Sequence, residues 1–196
     1  FLADKGKLQW ELPDGQPEGV SEYVSDPRNP AEIPGRSFPG ARDARSFEEQ
    51  DNVLVFDTPV LQGPLELTGE ITVKLYVTST APDTDFIVRV SDVYPDGRSI
   101  LIVDYIQRAR YRKGFDRQVF LQPEIVHEVG FDVGHLSQVF NTGHKLRVTV
   151  ASTGAPLYEP NPQNGKPETI EFPEDAVSAI NAIYHTGTYP SHLLVP

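Results

Sequence analysis

Serine and histidine are the residue types in this chain that could form a hydrolytic centre. Ser21 lies in Gly19-Val20-Ser21-Glu22-Tyr23, which matches part of the Gly-x-Ser-x-Gly elbow on which nucleophilic serines commonly sit. The second glycine and a following helical pattern are missing, so the strained turn that exposes a nucleophile is not predicted. Ser191 and His192 are adjacent, and neighbouring side chains of an extended chain point to opposite faces. We therefore expect no catalytic residue within this chain.

Acidic and imidazole side chains raise the question of a metal site. Four aspartates crowd one stretch of the sequence: Asp83, Asp85, Asp92 and Asp96. Their spacing does not match an EF-hand loop, and Asp96 belongs to a turn sequence, while Asp85 could pair with an arginine of Arg108–Arg112. The five histidines show no i, i+2 or i, i+4 pairing. His127 lies on the apolar stripe of its strand, where a core or edge histidine with one satisfied nitrogen is expected. We predict no metal and no cofactor.

Aromatic side chains indicate an alternative function, the binding of carbohydrate. The residues that could stack on a sugar ring are Tyr158, Tyr184, Tyr189 and Trp10. Aromatic residues at strand ends more often close a core or pack on another domain. Nothing in their spacing separates the two interpretations, so both stay open at this point.

Composition restricts the partners. The 17 basic and 28 acidic residues give a formal charge of −11, and such a surface repels phosphate backbones, so nucleic acid is not an expected partner. No apolar run approaches the roughly 20 residues that span a bilayer, so a membrane is not expected either. The absence of Cys excludes disulfides and thiolate sites but does not distinguish a cytoplasmic from an exported protein. Because the chain contains no Met and opens at Phe1, we expect it to be a piece of a larger protein.

Strand patterns recur along the chain and predict an all-β fold. Apolar residues alternate with polar ones in Ile71–Val77, Ile125–Val133 and Lys145–Val150, which is the period of half-buried strands. About eight strands separated by turn residues, without a convincing long helix, favour a sandwich or jelly roll over an α/β sheet.

Two segments are ambiguous. His135–Phe140 reads as a helical turn or a loop. Glu174–His185 reads as a short helix, although alternation within Ile180–Tyr184 permits a strand instead.

The clearest element is a β-hairpin within Ala81–Arg112. Alternating residues form the first arm from Phe86, and Ile100–Ile106 forms the second. Between them Pro95–Arg98 contains Asp-Gly, the strongest short hairpin signal, because glycine tolerates the positive φ of a tight turn.

Several segments, taken in order, match the motifs of one family. They are Ser25–Pro30, Asp83–Phe86, Asp92–Arg98, Arg108–Arg112, Asn161–Gly165, Ile183–His185 and Pro190–Pro196. Together they resemble the C-terminal domain of the X-Pro dipeptidyl-peptidase and cocaine-esterase family of serine hydrolases, and the match spans nearly the whole chain.

The resemblance implies a jelly-roll β-sandwich of the galactose-binding-domain-like type. It implies a single domain over residues 1–196, with a loop-rich segment at 1–50 and the main sandwich at 51–196. Such a domain is non-catalytic and packs on the preceding α/β-hydrolase and cap domains of the same chain, where it helps to shape the active-site mouth. A second copy of the chain is a further candidate partner. The parent would cleave an ester or amide, and esterase, β-lactam acylase and dipeptidyl-peptidase activities stay open.

The resemblance also implies one substrate-contacting residue. In the family, the loop after the Asp26–Pro30 motif approaches the active-site mouth with apolar side chains. Phe38 is the large apolar residue of the corresponding segment Pro34–Gly40. The alternative is that Phe38 folds back onto the core of its own domain.

Overall fold

The structure is a computed structural model that describes residues 1–12, 19–33, 42–167 and 174–196. Over these residues the chain forms strands, two 3₁₀ turns (Asp4–Gly6 and Ala109–Tyr111) and one short α-helix, α1 (Arg45–Glu48). The strands are β1 (Leu2–Ala3), β2 (Lys7–Leu8), β3 (Val20–Ser25), β4 (Val53–Asp57), β5 (Leu65–Ser79), β6 (Asp85–Val93), β7 (Ser99–Arg108), β8 (His127–Phe140), β9 (Lys145–Ala151), β10 (Ala179–Tyr184) and β11 (His192–Leu194). The predicted all-β sandwich is confirmed, while the galactose-binding-like type of jelly roll stays a prediction. Within the described ranges, no helix is long and apolar enough to cross a bilayer.

The strands form two sheets. Sheet A has the order β1-β2-β4-β9-β6-β7. In sheet B, β8 pairs with one edge of β5 along most of its length, while β10 and β11 share the other edge and β3 lies beyond β10. Because side chains alternate along each strand, every strand of sheet B has an inner face toward sheet A and an outer face.

The main core lies between the sheets. Strand β5 buries alternate side chains into it: Leu67, Ile71, Val73, Leu75 and Val77. Strand β6 is buried at every position, because sheet A is covered on its other face as well. There Ile33, Phe47 and Val53 form a second apolar cluster, and the guanidinium of Arg89 lies 4.5 Å from the centre of the Phe47 ring. The described part of the N-terminal segment is therefore packed onto the sandwich.

The predicted hairpin is confirmed as β6 and β7. The Gly97 N–H donates to the Tyr94 carbonyl at 2.9 Å, and the Tyr94 N–H donates to the Arg98 carbonyl at 2.8 Å. Gly97 has a φ of 89°, so glycine is required at the residue that closes this three-residue loop.

Two ambiguous segments are strands. The helical turn or loop predicted for His135–Phe140 is wrong, because these residues form the second half of β8 and pair with Leu65–Glu70. A register shift at Ile71/Thr72 and the positive φ of Gly134, 137°, interrupt the alternation here and hide the strand in the sequence. Within Glu174–His185, the strand interpretation is correct and the helix interpretation is wrong. Ala179–Tyr184 forms β10, which lies between β3 and β5.

Candidate functional site

A buried polar network joins the motif segments, and its centre is the pair of Asp83 and Arg110. The Arg110 backbone N–H and its side-chain Nε–H each donate to a different oxygen of Asp83, both at 2.8 Å. The Arg110 side chain is 2% exposed and that of Asp83 is fully buried. A third donor of Arg110, Nη1–H, binds the Lys166 carbonyl at 3.0 Å. This pair connects the segment before β6 with the turn that follows β7.

A second carboxylate of the same motif, that of Asp85, is also bound by an arginine. Arg108 Nε donates to Asp85 Oδ1 at 2.9 Å, which confirms the arginine pairing predicted for Asp85. Asn161 Nδ2 donates both to Asp83 Oδ2 at 2.7 Å and to Asp85 Oδ1 at 2.9 Å. Burial raises the pKa of Asp85, and the hydrogen bonds from Arg108 and Asn161 oppose this rise. Two guanidinium groups and one amide thus compensate the two buried carboxylates.

The network continues from Thr84 to the loops at the ends of β3 and β10. The Thr84 hydroxyl donates to Gln163 Oε1 at 2.8 Å. Gln163 Nε2 in turn donates to the carbonyls of Ser25 at 3.0 Å and Val177 at 2.9 Å. Just beyond, Arg28 Nη1 donates to the Ala176 carbonyl at 2.8 Å. The Asn161–Gly165 motif therefore holds two other segments in place.

Two inward-facing side chains of sheet B, Tyr23 and Asn181, complete the network. Asn181 Nδ2 donates to the Ser152 hydroxyl at 2.8 Å and to the Thr84 hydroxyl at 3.1 Å. Tyr23 shares a hydrogen bond of 2.7 Å with the Ser152 hydroxyl, and burial raises the pKa of the tyrosine. Residues far apart in the sequence thus form one hydrogen-bonded network that holds the loops in place. Its carboxylates are paired with arginines, so the network is not arranged for acid–base catalysis.

The acidic residues considered as calcium ligands have other partners. Beyond the two arginine pairs, Asp92 Oδ1 lies 2.7 Å from His144 Nδ1, and Asp96 caps its turn through the Arg98 N–H at 3.1 Å. Within the ranges that the structure describes, no group of three or more acidic or histidine side chains is placed to hold a metal ion. His127 accepts a hydrogen bond from the Gln122 N–H at 2.9 Å, and burial lowers the pKa of its imidazole.

A serine, a histidine and a carboxylate do meet at one end of the sandwich, which sequence reasoning missed. Ser21 Oγ lies 3.0 Å from His185 Nε2, and His185 Nδ1 lies 3.3 Å from Asp4 Oδ1. The imidazole is fully buried. Burial lowers the pKa of His185, and the nearby Asp4 carboxylate opposes this effect without cancelling it. No local pattern marks this contact, because Ser21 and His185 are 164 residues apart.

The surroundings of Ser21 differ from those of a catalytic serine. Ser21 lies within the extended strand β3, and not on a turn between strand and helix. The His185 N–H donates to the Gly19 carbonyl at 2.8 Å, so by alternation Ser21 and Ile183 also exchange ladder hydrogen bonds. The Ser21 N–H is thereby occupied and cannot stabilise an oxyanion. We interpret the contact as structural.

The other serine–histidine combination is not brought together. Ser191 is buried, and its hydroxyl accepts the Tyr76 N–H at 2.9 Å. The adjacent His192 uses Nδ1 to contact the Pro190 carbonyl at 2.6 Å. Each side chain has its own structural partner.

The aromatic residues considered for sugar binding are in three places. Tyr184 and Tyr189 pack together with Tyr76, with ring centres 5.7 to 5.8 Å apart and tilts of 49° and 72°. Tyr158 packs against the second apolar cluster, and burial raises its pKa to about 12. Trp10 is exposed. The rings do not form a common flat platform for a sugar.

Phe38 lies outside the described residues, but both ends of its segment are held by sheet A. The Ile33 N–H donates to the Ala155 carbonyl at 2.7 Å, and the Leu101 N–H donates to the Arg42 carbonyl at 2.8 Å. Ala155 follows β9, and Leu101 belongs to β7. The segment that contains Phe38 therefore starts and ends on the framework of the sandwich.

Comparison with known proteins agrees with these features. The family described as the X-Pro dipeptidyl-peptidase C-terminal non-catalytic domain matches residues 2–194. Cocaine esterase from Rhodococcus sp. (strain MB1 Bresler) is 35% identical over 185 residues, which cover 91% of this chain and 32% of the esterase. An α-amino acid ester hydrolase structure matches with a TM-score of 0.94 at 29% identity, over 100% of this chain and 35% of that one. An aminopeptidase from a Thaumarchaeota archaeon matches with a TM-score of 0.92 at 29% identity, over 100% of this chain and 36% of that one.

The chain thus spans about a third of the length of each of these relatives. The family match covers nearly the whole sequence, and the residues of its motifs converge on one network. This chain belongs to the family of X-Pro dipeptidyl-peptidase C-terminal non-catalytic domains.

Proposed function

We propose that this chain is the C-terminal domain of a serine hydrolase, where it packs on the catalytic domain and shapes the active-site mouth. Ester hydrolysis is the reaction class that we propose for the parent, since two of the relatives are named as ester-cleaving enzymes. Cleavage of an amide, such as an X-Pro peptide bond, is the alternative. The nucleophilic serine, its histidine base and the oxyanion donors would all belong to the catalytic domain.

The observation that carries this proposal is the way the segment containing Phe38 is held. Its flanking residues Ile33 and Arg42 are hydrogen-bonded to Ala155 and Leu101, on or next to strands of sheet A. Fixing both flanks restricts how far the residues between them can reach, and this lowers the entropy cost of placing one of them against substrate. In this proposal Phe38 lines the mouth and excludes water, while the network around Asp83 keeps the neighbouring loops in position.

The same proposal makes the isolated chain inactive. The Ser21 N–H is used in the ladder, and Ser191 is buried as an acceptor for Tyr76. Ser21 lies within a strand and Ser191 is buried, so neither occupies the exposed turn from which a nucleophilic serine attacks.

Labelling with a fluorophosphonate probe tests the proposal. In the full-length protein we expect one labelled serine outside residues 1–196, and hydrolysis of p-nitrophenyl esters that the probe abolishes. Comparison with Ala-Pro-p-nitroanilide separates ester from X-Pro specificity. Labelling of Ser21 or Ser191, or turnover by residues 1–196 alone, would overturn the assignment of this chain as non-catalytic.

A further inference from the structure

We propose that the outer face of sheet B at strands β3 and β10 is the surface that docks onto the catalytic domain of the same polypeptide. This inference rests on the proposed function and names the surface that it requires. The residues of this docking face are Val20, Val24, Tyr76, Ile180, Tyr184 and Tyr189.

Strand register places these side chains side by side. Val24 is opposite Ile180, Val20 is opposite Tyr184, and Tyr184 is opposite Tyr76 on the next strand. Residues in register on neighbouring strands share one face of a sheet and lie in contact distance. Tyr189 packs on this row from above, with ring centres 5.7 Å from Tyr76 and 5.8 Å from Tyr184. The result is two apolar patches on one face, Val24 with Ile180 and Val20 with the three tyrosines, separated by the pair of Glu22 and the buried Ala182.

The surface is open in the described chain. Val24 is 55% exposed, Ile180 is 49% exposed and Val20 is 37% exposed. On β3 the side chains of Ser21 and Tyr23 point inward. Val20 and Val24 therefore point outward, away from the core between the sheets. Exposed apolar residues that cluster on one sheet face indicate an interaction site.

The remainder of the same outer face has a different character. On β5 and β8 it carries an ion pair between Lys74 and Glu128, at 3.5 Å, together with exposed Thr68 and Glu70. Leu194 and Val139 are also exposed on this part of the face, opposite Thr72 and Glu66, but its outward β5 positions from Thr68 to Lys74 are all polar or charged. This contrast within one sheet provides matched control positions.

The charge of the chain argues against a second copy as the occupant. Glu22 lies between Val20 and Val24 on β3, and a groove beside Val24 is lined by Asp26, Glu49 and Asp51. Two copies that met at this edge would bring like charges together, on chains that each carry −11.

The length of the relatives favours an occupant in the same polypeptide. This chain covers 32% of the cocaine esterase and 35% of the ester hydrolase, so each of these relatives has about twice as much further chain. A tethered domain has a high effective concentration, and it needs only a moderate apolar surface to dock. The partner surface is expected to be apolar at its centre and basic where it meets the acidic groove.

Site-specific photo-crosslinking in the full-length protein tests the proposal. p-Benzoylphenylalanine replaces Val24 in one variant and Glu70, on the charged half of the same face, in the control. We expect the Val24 variant to give an intramolecular cross-link to a peptide outside residues 1–196, at least fivefold more abundant than from position 70. A cross-link between two copies, or equal yields from both positions, would overturn the proposal.

A charge substitution gives a second readout that does not depend on the cross-linker. In the full-length protein, Val24→Asp should speed limited proteolysis between this domain and the rest of the chain, whereas Thr68→Asp should not. Equal proteolysis of the two variants contradicts the docking face. Fluorophosphonate labelling of the same samples reports on hydrolase function separately, so a parent without an active serine would still give a clear result for docking.

Discussion

Arg110 donates two hydrogen bonds to Asp83, one from its backbone N–H and one from Nε–H, and each is 2.8 Å long. The pair is almost wholly buried, and it joins the chain before β6 to the chain after β7. Such a pair adds little net stability relative to apolar residues, but it is costly to break, because removal of one partner leaves the other charge uncompensated.

Asp83→Ala should therefore strongly destabilise the domain. We expect a loss of about 3–5 kcal/mol in the free energy of unfolding, since the Arg110 guanidinium would stay buried without its carboxylate. Chemical denaturation measures this change. Asp96→Ala is the control, because Asp96 pairs with Arg98 at the surface and should contribute little. Similar effects of the two substitutions would contradict the central role of the buried pair.

Gly19→Ala should destabilise the end of the sandwich at which His185 lies. An added Cβ would lie 2.5 Å from His185 Nδ1 and 2.7 Å from the His185 carbonyl oxygen. Relief of this overlap requires movement of a buried ring and of the backbone, at a cost of about 1–3 kcal/mol. Gly63→Ala serves as the control, because nothing lies within 4 Å of its added Cβ. Equal melting temperatures for both variants would count against this packing.

The stability of the domain should fall in mild acid, in part because of His185. Burial lowers the pKa of His185 below its usual value of 6.5, so near and below that pH the unfolded chain binds more protons than the folded chain. The free energy of unfolding should thus decrease as the pH falls through 6.5 and level off above it. His185→Gln should flatten this dependence in urea titrations between pH 5 and 8. Some dependence should remain, because burial lowers the pKa of His127 in the same direction.

Ser21→Ala distinguishes a structural from a catalytic contact. The substitution removes the partner 3.0 Å from His185 Nε2 and should cost about 1 kcal/mol of stability, with the pH dependence retained. In the full-length enzyme kcat should not change, since Ser21 is not proposed to be a nucleophile. A loss of kcat at unchanged stability would show instead that Ser21 takes part in the reaction.

Phe38→Ala in the full-length enzyme tests the residue proposed for the active-site mouth. Loss of an apolar contact with substrate should raise KM by an amount equivalent to about 1–3 kcal/mol, while the melting temperature stays the same. Paired steady-state kinetics and thermal melting give both quantities. A large drop in melting temperature with an unchanged KM would place Phe38 in the core of this domain.

Local patterns were sufficient to predict much of the architecture. Alternation predicts the paired strand β9, and Asp-Gly predicts the turn closed at Gly97, because strand period and turn conformation depend on a few adjacent residues. The order of the motifs indicated the family, and the all-β class followed from both. The pairing of Asp85 with an arginine could be predicted from the sequence, because Asp85 and Arg108 are opposite each other in one hairpin.

Contacts between distant segments were decided only by the tertiary structure. The second half of β8 was missed because a bulge breaks the alternation at Gly134, and its long partner strand β5 maintains the pairing. The contact of Ser21 with His185 and the double hydrogen bond from Asn161 to Asp83 and Asp85 depend on which strands become neighbours. Sequence periodicity specifies which face of a strand is buried. The register and the closure of the two sheets determine which polar groups are opposite each other, and these pairings matter because a buried polar group without a partner is costly.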